Sequence, residues 1–104
     1  MKPWWVWSVT TLALLLPIAQ ASAQADALQV RSWAAACATC HGTAGVAQPG
    51  MPSLAGMPRD TLTRRLLDYK AGRQPATLMH QLARAYSDAQ IEQIAAYFAA
   101  LKPE

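Results

Sequence analysis

The chain has 104 residues, of which 53% are hydrophobic and 14% are charged, and its formal net charge is +3. This length is enough for one small domain and excludes a second folding unit. The charge is too weak to favour nucleic-acid binding, so we predict no nucleic-acid partner.

The N-terminal residues have the pattern of a secretory signal peptide. Lys2 is followed by an apolar stretch at Leu12–Ile18 and by the small residues Ala21–Ala23, the order that export signals share. An uncleaved membrane anchor is the alternative, but hydroxyl side chains and a proline interrupt the roughly 20 apolar residues that a span needs. We predict a cleaved signal peptide over residues 1–23 and a periplasmic domain over residues 24–104 with no stable membrane anchor.

The predicted domain belongs to the all-α class. No stretch alternates apolar and polar residues for long enough to make a strand, whereas several segments repeat apolar residues at helical spacing. We expect three main helices, at about Asp26–Ala36, from Pro58 to a stop at Gly72, and from Ser87 to Pro103. A short helix is expected at about Leu78–Ala85. Asp26 and Thr77 are expected to cap the first and the short helix, and Ser87 with Gln90 forms a capping box for the last.

The segment from Gly42 to Gly56 is predicted to be a loop. Its four glycines and two prolines interrupt any regular element. It carries no charged side chain, so we expect it to lie against an apolar surface.

Basic residues are concentrated between Arg59 and Arg84. This segment has six basic and two acidic residues, an excess of four positive charges. Such an excess favours the approach of an acidic protein partner. A solvated helix face is the alternative interpretation.

The run Cys37-Ala38-Thr39-Cys40-His41 is a C-x-x-C-H motif, the attachment signature of c-type haem. Two thiols three positions apart at a helix end can each add to one vinyl group of the same porphyrin, and the next residue then supplies an axial histidine. A thioredoxin-like redox pair, a structural zinc site and a plain disulfide are the alternatives. The first needs strands, and the second needs four ligands, for which only His80 remains beyond the motif. The haem interpretation is therefore favoured.

A covalent cofactor would also compensate for the small size of the domain. A chain of about 81 residues hides only ~60–65% of the surface that its unfolded form exposes. A disulfide between Cys37 and Cys40 would close a very short loop and stabilise the fold little. We therefore expect one covalently bound haem c to complete the core.

A second axial ligand is expected downstream of His41. A thioether opposite a histidine raises the reduction potential of haem iron. Met51 and Met57 lie on the glycine-rich loop that should cover the histidine side, whereas Met79 follows a whole helix and can approach from the other side. His80 is chemically able to bind iron, but neighbours on a helix point about 100° apart, so only one of the two can face it.

These residues resemble those of a class I cytochrome c. The likeness extends from about Val30 to Leu101 and is carried by Cys37–Gly42, Pro52–Gly56 and Asp68–Gly72, which are similar to the small bacterial cytochromes related to cytochromes c4 and c5. Pro75–Met79 and Leu82–Asp88 are similar to the cytochrome subunit of flavocytochrome c sulfide dehydrogenase.

The resemblance implies specific roles for three residues. Met79 would be the sixth ligand, and the Pro52 carbonyl would accept a hydrogen bond from His41 that fixes its tautomer. Some members of the family carry two haems, whereas this sequence has a single C-x-x-C-H.

The implied function is one-electron transfer rather than catalysis, because two axial protein ligands leave no iron position for a substrate. The preferred partner is a flavin-containing sulfide dehydrogenase that passes electrons to this chain as its cytochrome subunit. A freely diffusing shuttle to a terminal oxidase or reductase is the alternative, and a haem enzyme or gas sensor would require a labile sixth ligand.

Overall fold

The computed structural model describes residues 17–103, which contain four α-helices and no strand. They are α1 (Pro17–His41), α2 (Arg59–Lys70), α3 (Met79–Arg84) and α4 (Asp88–Ala99). The predicted all-α class, with three main helices and a short one, is confirmed. The expected loop after α1 also contains one 3-10 turn, at Thr43–Gly45, which the sequence interpretation missed.

Helix α1 is longer than predicted at both ends. Asp26 lies inside it and does not cap it, because the alanine-rich sequence on both sides of Asp26 continues the helix. At the other end the helix runs through both cysteines and stops at His41, one residue before Gly42. Most of the predicted signal peptide lies outside the described residues, and cleavage after Ala23 stays a prediction.

Helix α2 ends at the expected glycine. Gly72 has φ +77°, a conformation that costs glycine little. Its N–H donates to the Tyr69 carbonyl at 3.1 Å, and the Arg73 N–H donates to the Asp68 carbonyl at 2.8 Å, the two bonds of a Schellman motif. Pro58 lies at the N-cap, immediately before the first helical residue.

The predicted caps of α3 and α4 had opposite outcomes. Ser87 and Gln90 form the expected capping box, in which the Gln90 N–H donates to Ser87 Oγ at 3.1 Å and the Ser87 N–H donates to Gln90 Oε1 at 2.8 Å. The expected Thr77 cap is wrong, since Leu78 occupies the N-cap of α3 and makes no side-chain cap bond. The helix begins one residue too late for the Thr77 hydroxyl to serve it.

The core lies where α1, α2 and α4 meet. Its buried side chains are Ala34 from α1, Leu62 from α2, and Ile94, Ala95 and Phe98 from α4. Alanines at 34 and 95 have no bulk beyond Cβ, so α1 and α4 can approach closely. The ring of Phe98 also meets Tyr97 edge-on, with centroids 5.4 Å apart.

Lys70 joins the end of α2 to the connection between α3 and α4. Its Nζ donates to the Tyr86 carbonyl and to Asp88 Oδ1, each at 2.8 Å. The Lys70 side chain is 30% exposed and that of Asp88 is 72% exposed, so the ion pair faces solvent and contributes little, whereas the bond to the Tyr86 carbonyl is partly buried. The contact holds the short helix α3 beside α2.

Candidate haem-binding site

A cavity of about 460 Å³ opens beside the core. Its lining comes from the end of α1, the glycine-rich loop, α2, α3 with the residues before it, and α4. The structure brings all five residues of the predicted site to this one cavity: Cys37, Cys40, His41, Pro52 and Met79. Residues that are more than 25 positions apart in sequence therefore share one site.

Helix α1 places the motif residues on one face. Cys40 and His41 follow Cys37 by three and four positions, the spacing at which helical side chains are neighbours. Both cysteines are free thiols, Cys37 half-buried and Cys40 exposed. Burial raises the pKa of the Cys37 thiol. Burial, and then the charge of nearby Cys37, raises the pKa of Tyr86, which lines the same cavity.

His41 is held in one tautomer by the loop that follows it. Its side chain is buried, with 8% of the residue exposed, and its Nδ1 lies 2.7 Å from the Pro52 carbonyl oxygen. A carbonyl only accepts, so Nδ1 carries the proton and donates. The Nε2 lone pair is then left for a metal, and the hydrogen bond strengthens it as a donor.

The loop reaches this position because Gly42 turns the chain directly after His41. Gly42 has φ +89°, and a Cβ at this residue would lie 1.8 Å from the Val46 carbonyl oxygen, so no other residue fits. Further along, the Leu54 N–H donates to the Gly45 carbonyl at 2.8 Å. This bond folds the loop back and brings Pro52 beside the imidazole.

The structure places three of the four candidates for the second iron ligand at the cavity. Met51, Met57 and Met79 line the cavity, whereas His80 is not among the lining residues. Met51 directly precedes Pro52 and so lies on the His41 side, while Met79 begins the separate helix α3. His80 Nδ1 is buried, with no hydrogen-bond partner among the described residues. The arrangement favours Met79 over His80.

The alternative interpretations of the cysteine motif have less support. No strand in residues 17–103 provides a thioredoxin-like setting, and the two thiols are not bonded to each other. Within the same residues, no group of three or more His, Cys, Asp or Glu side chains is arranged to hold a metal ion. A zinc site needs four such ligands, whereas a porphyrin brings its own four nitrogens and needs axial donors only.

The lining as a whole suits a porphyrin. It is formed mainly by apolar side chains of the core and of α3, including Leu62, Leu82, Ile94 and Phe98. Two thiols and one imidazole lie together at the end of α1, and a thioether lies on another helix. This combination of an all-α fold, a thiol pair, a tautomerically fixed histidine and an apolar cavity defines a c-type cytochrome.

Comparison with known proteins identifies the family of the chain. The family model described as cytochrome c oxidase, cbb3-type, subunit III, matches residues 24–98. The chain is 38% identical to the thiosulfate dehydrogenase electron acceptor of Thiomonas intermedia (strain K12), over 69% of this chain and 37% of that protein. It is 37% identical to the cytochrome subunit of sulfide dehydrogenase of Chlorobaculum tepidum, over 60% of this chain and 56% of that protein.

A solved cytochrome c4 from Acidithiobacillus ferrooxidans has the same fold, with a TM-score of 0.61 and 35% identity over 64% of this chain and 38% of that one. The chain therefore belongs to the cytochrome c family and is a class I cytochrome c domain. Members of this family bind covalent haem c and are electron carriers or cytochrome subunits rather than catalytic enzymes. The chain spans 37% and 56% of the lengths of the two named relatives.

Part of the basic segment is neutralised in the folded chain. Lys70 pairs with Asp88 at 2.8 Å, Arg73 pairs with Asp68 at 2.8 Å, and Arg59 lies 3.9 Å from Glu92. Asp88 and Glu92 lie outside the segment, so these two residues make the local excess of positive charge smaller than the sequence alone indicates. One member of the segment, Arg65, lines the cavity, and nothing in the sequence distinguishes it from its neighbours.

No helix within residues 17–103 is both long and apolar enough to cross a membrane.

Proposed function

We propose that the mature chain is an exported periplasmic carrier of single electrons. Cys37 and Cys40 would hold one haem covalently, and His41 and Met79 would bind its iron. The observation that carries this proposal is the arrangement of these four side chains around one apolar cavity, with His41 Nδ1 bound to Pro52.

Bound haem supplies reversible one-electron chemistry at its iron. The residues of this chain decide how that chemistry proceeds. Pro52 holds the imidazole of His41 in the tautomer that presents Nε2, and the apolar side chains of α2 and α4 exclude water from the cavity. The Met79 thioether would favour the reduced state of the iron, which suits a chain that accepts electrons.

The preferred electron donor is a flavin-containing sulfide dehydrogenase, with this chain as its cytochrome subunit. The likeness to the Chlorobaculum tepidum subunit supports this assignment. The likeness to the Thiomonas intermedia protein supports a donor that oxidises sulfur compounds more generally. Of these two electron donors, we prefer the flavoprotein, because the stretch from Pro75 to Asp88 resembles its cytochrome subunit.

A freely diffusing electron shuttle is the second candidate. The structural likeness to a cytochrome c4 favours it. The two candidates share the same haem site and differ in whether the chain forms a lasting complex.

Rapid mixing of the oxidised holoprotein with donor enzymes tests the assignment. When sulfide and a flavin-containing sulfide dehydrogenase are both present, we expect the haem to be reduced before the first reading. Sulfide alone should give no catalytic turnover. Fast reduction by thiosulfate dehydrogenase, with no reduction by the flavoprotein, would contradict the preferred partner.

Recovery of the tagged holoprotein from the native periplasm is a second test. A flavoprotein should be recovered with it. A monomer that recovers no flavin would favour the shuttle.

A further inference from the structure

One face of helix α3, continued by the turn after it, lines the cavity. The lining residues of this stretch are Met79, Leu82, Ala83 and Tyr86. Their spacing of three, four and seven positions is that of neighbours along one side of a helix. The Tyr86 N–H donates to the Ala83 carbonyl at 3.3 Å, so the turn is bound to the helix. Met79 and Tyr86 are therefore the two ends of one structural unit.

Local structure anchors the Met79 end of this unit weakly. Helix α3 has only six residues, too few to be stable without contacts to the rest of the fold. Residues 71–78, which lead into it, are all exposed, and Leu78 at the N-cap makes no side-chain cap bond. The position of Met79 therefore depends on how the other end of the unit is held.

Lys70 holds that other end, at Tyr86. Lys70 is the last residue of α2, and its Nζ donates to the Tyr86 carbonyl at 2.8 Å, in a partly buried bond between residues 16 positions apart. The same amine reaches Asp88 Oδ1 at 2.8 Å, but that pair faces solvent. The bond to the carbonyl closes the base of the segment from residue 71 to residue 85, which carries Met79. Closing a loop at its base restricts the positions that its residues can reach.

We propose that Lys70 is a positioning residue that keeps the Met79 thioether at the cavity. The inference rests on the proposed haem site, in which Met79 is the second axial ligand. Lys70 does not line the cavity and acts through the backbone of Tyr86 and through α3. Without its bond, α3 leaves its place beside α2 more often, and the thioether leaves with it. The sixth position of the iron is then open to an added ligand for a larger fraction of the time.

Competition by added imidazole measures how often Met79 is detached. Imidazole binds the ferric iron only when the thioether has left, so its apparent affinity rises in proportion to the detached fraction. We expect K70L, which keeps the apolar bulk and loses the donor, to raise the apparent affinity of the ferric holoprotein for imidazole about tenfold over the parent. K70Q, whose shorter neutral side chain can still donate, should raise it about threefold.

R73L is the matched control. Arg73 is a cation three residues further along the chain and is also paired at 2.8 Å, but its partner Asp68 belongs to α2 itself. This pair therefore ties nothing to α3, and neither of its residues lines the cavity. The apparent affinity of R73L for imidazole should stay within about twofold of the parent.

Warming of the ferric holoproteins separates a local effect on the ligand from a general loss of stability. Ferric haem with a bound thioether shows a near-infrared charge-transfer band that is lost when the thioether leaves. In K70L this band should disappear at a lower temperature than in R73L. The shift should be larger than any difference between the two variants in the circular dichroism of their helices, because only the α3 end of the fold is released.

Equal imidazole affinities of K70L and R73L would overturn the positioning role, and so would a shift of the band no larger than that of the helical signal. If K70L yields no folded holoprotein, the comparison of K70Q with R73L decides in the same way. A parent with covalent haem and the thioether band would leave the proposed function in place after such a result. A parent protein without covalent haem would instead remove the proposed function and this inference together.

Discussion

His41 shows how much of the site is decided by single residues and their bonds. Its Nδ1 donates to the Pro52 carbonyl at 2.7 Å, which leaves Nε2 as the donor for iron. Gly42 makes this possible, since any Cβ at that position would collide with the Val46 carbonyl. Among the described residues, no hydrogen bond supports Met79, the proposed second ligand, in a comparable way, so a substitution tests this assignment best.

We expect M79A to lower the reduction potential and to let the reduced protein bind carbon monoxide. The thioether stabilises the reduced iron, and axial ligands move haem potentials over roughly 0.8 V, so a fall of more than about 0.1 V is expected. Spectroelectrochemical titration and carbon monoxide difference spectra measure both effects.

M51A is the matched control, because Met51 also lines the cavity and directly precedes Pro52, the residue bound to His41. It should retain the parent potential and stay unreactive to carbon monoxide. If M51A rather than M79A changes both properties, the axial ligand has been assigned to the wrong methionine.

At the scale of elements, the helix ends explain which parts of the fold were predictable. The end of α2 and the start of α4 have local signals that act within a few residues: Gly72 at φ +77°, and the Ser87–Gln90 capping box. Helix α3 has no such signal, because Leu78 at its N-cap offers no side-chain acceptor. Its position depends on packing against α2 instead.

We expect S87A to destabilise the holoprotein by about 1 kcal/mol. The substitution removes the Oγ acceptor of the Gln90 N–H and leaves half of the capping box without its partner. The free energy of unfolding from urea titrations measures the loss.

S32A serves as the comparison, since Ser32 is an exposed residue in the interior of α1, where alanine is the better helix former. It should be neutral or slightly stabilising. A free energy of unfolding for S87A equal to that of S32A would show that the capping box contributes nothing measurable.

At the scale of the whole molecule, the core and the cavity share most of the buried side chains of the core. Leu62, Ile94, Ala95 and Phe98 belong to the buried cluster and also line the cavity. A small domain has little apolar surface to bury in any other way. Haem is therefore expected to act as part of the core as well as the redox centre.

We expect the double variant C37A/C40A, after extraction of non-covalent haem, to lose its cooperative unfolding transition. Without the covalent links the cofactor is removed, and the apolar lining is left facing water. Circular dichroism during thermal unfolding and amide hydrogen exchange report the loss.

T39A is the control for changes within the motif, because Thr39 is exposed, lies between the two cysteines and does not line the cavity. It should keep its haem and unfold like the parent protein. A cooperative transition in the extracted double variant would show that the protein folds without the cofactor.

The sequence alone determined the chemistry of the motif, the all-α class and the helices whose ends carry local signals, because those depend on residues close together in the chain. The tertiary structure decided the length of α1, the start of α3, and the placement of Met79 rather than His80 along the cavity. It also singled out Arg65 from a run of similar basic residues. These features depend on which side chains meet across helices, and that is fixed by packing between segments distant in sequence.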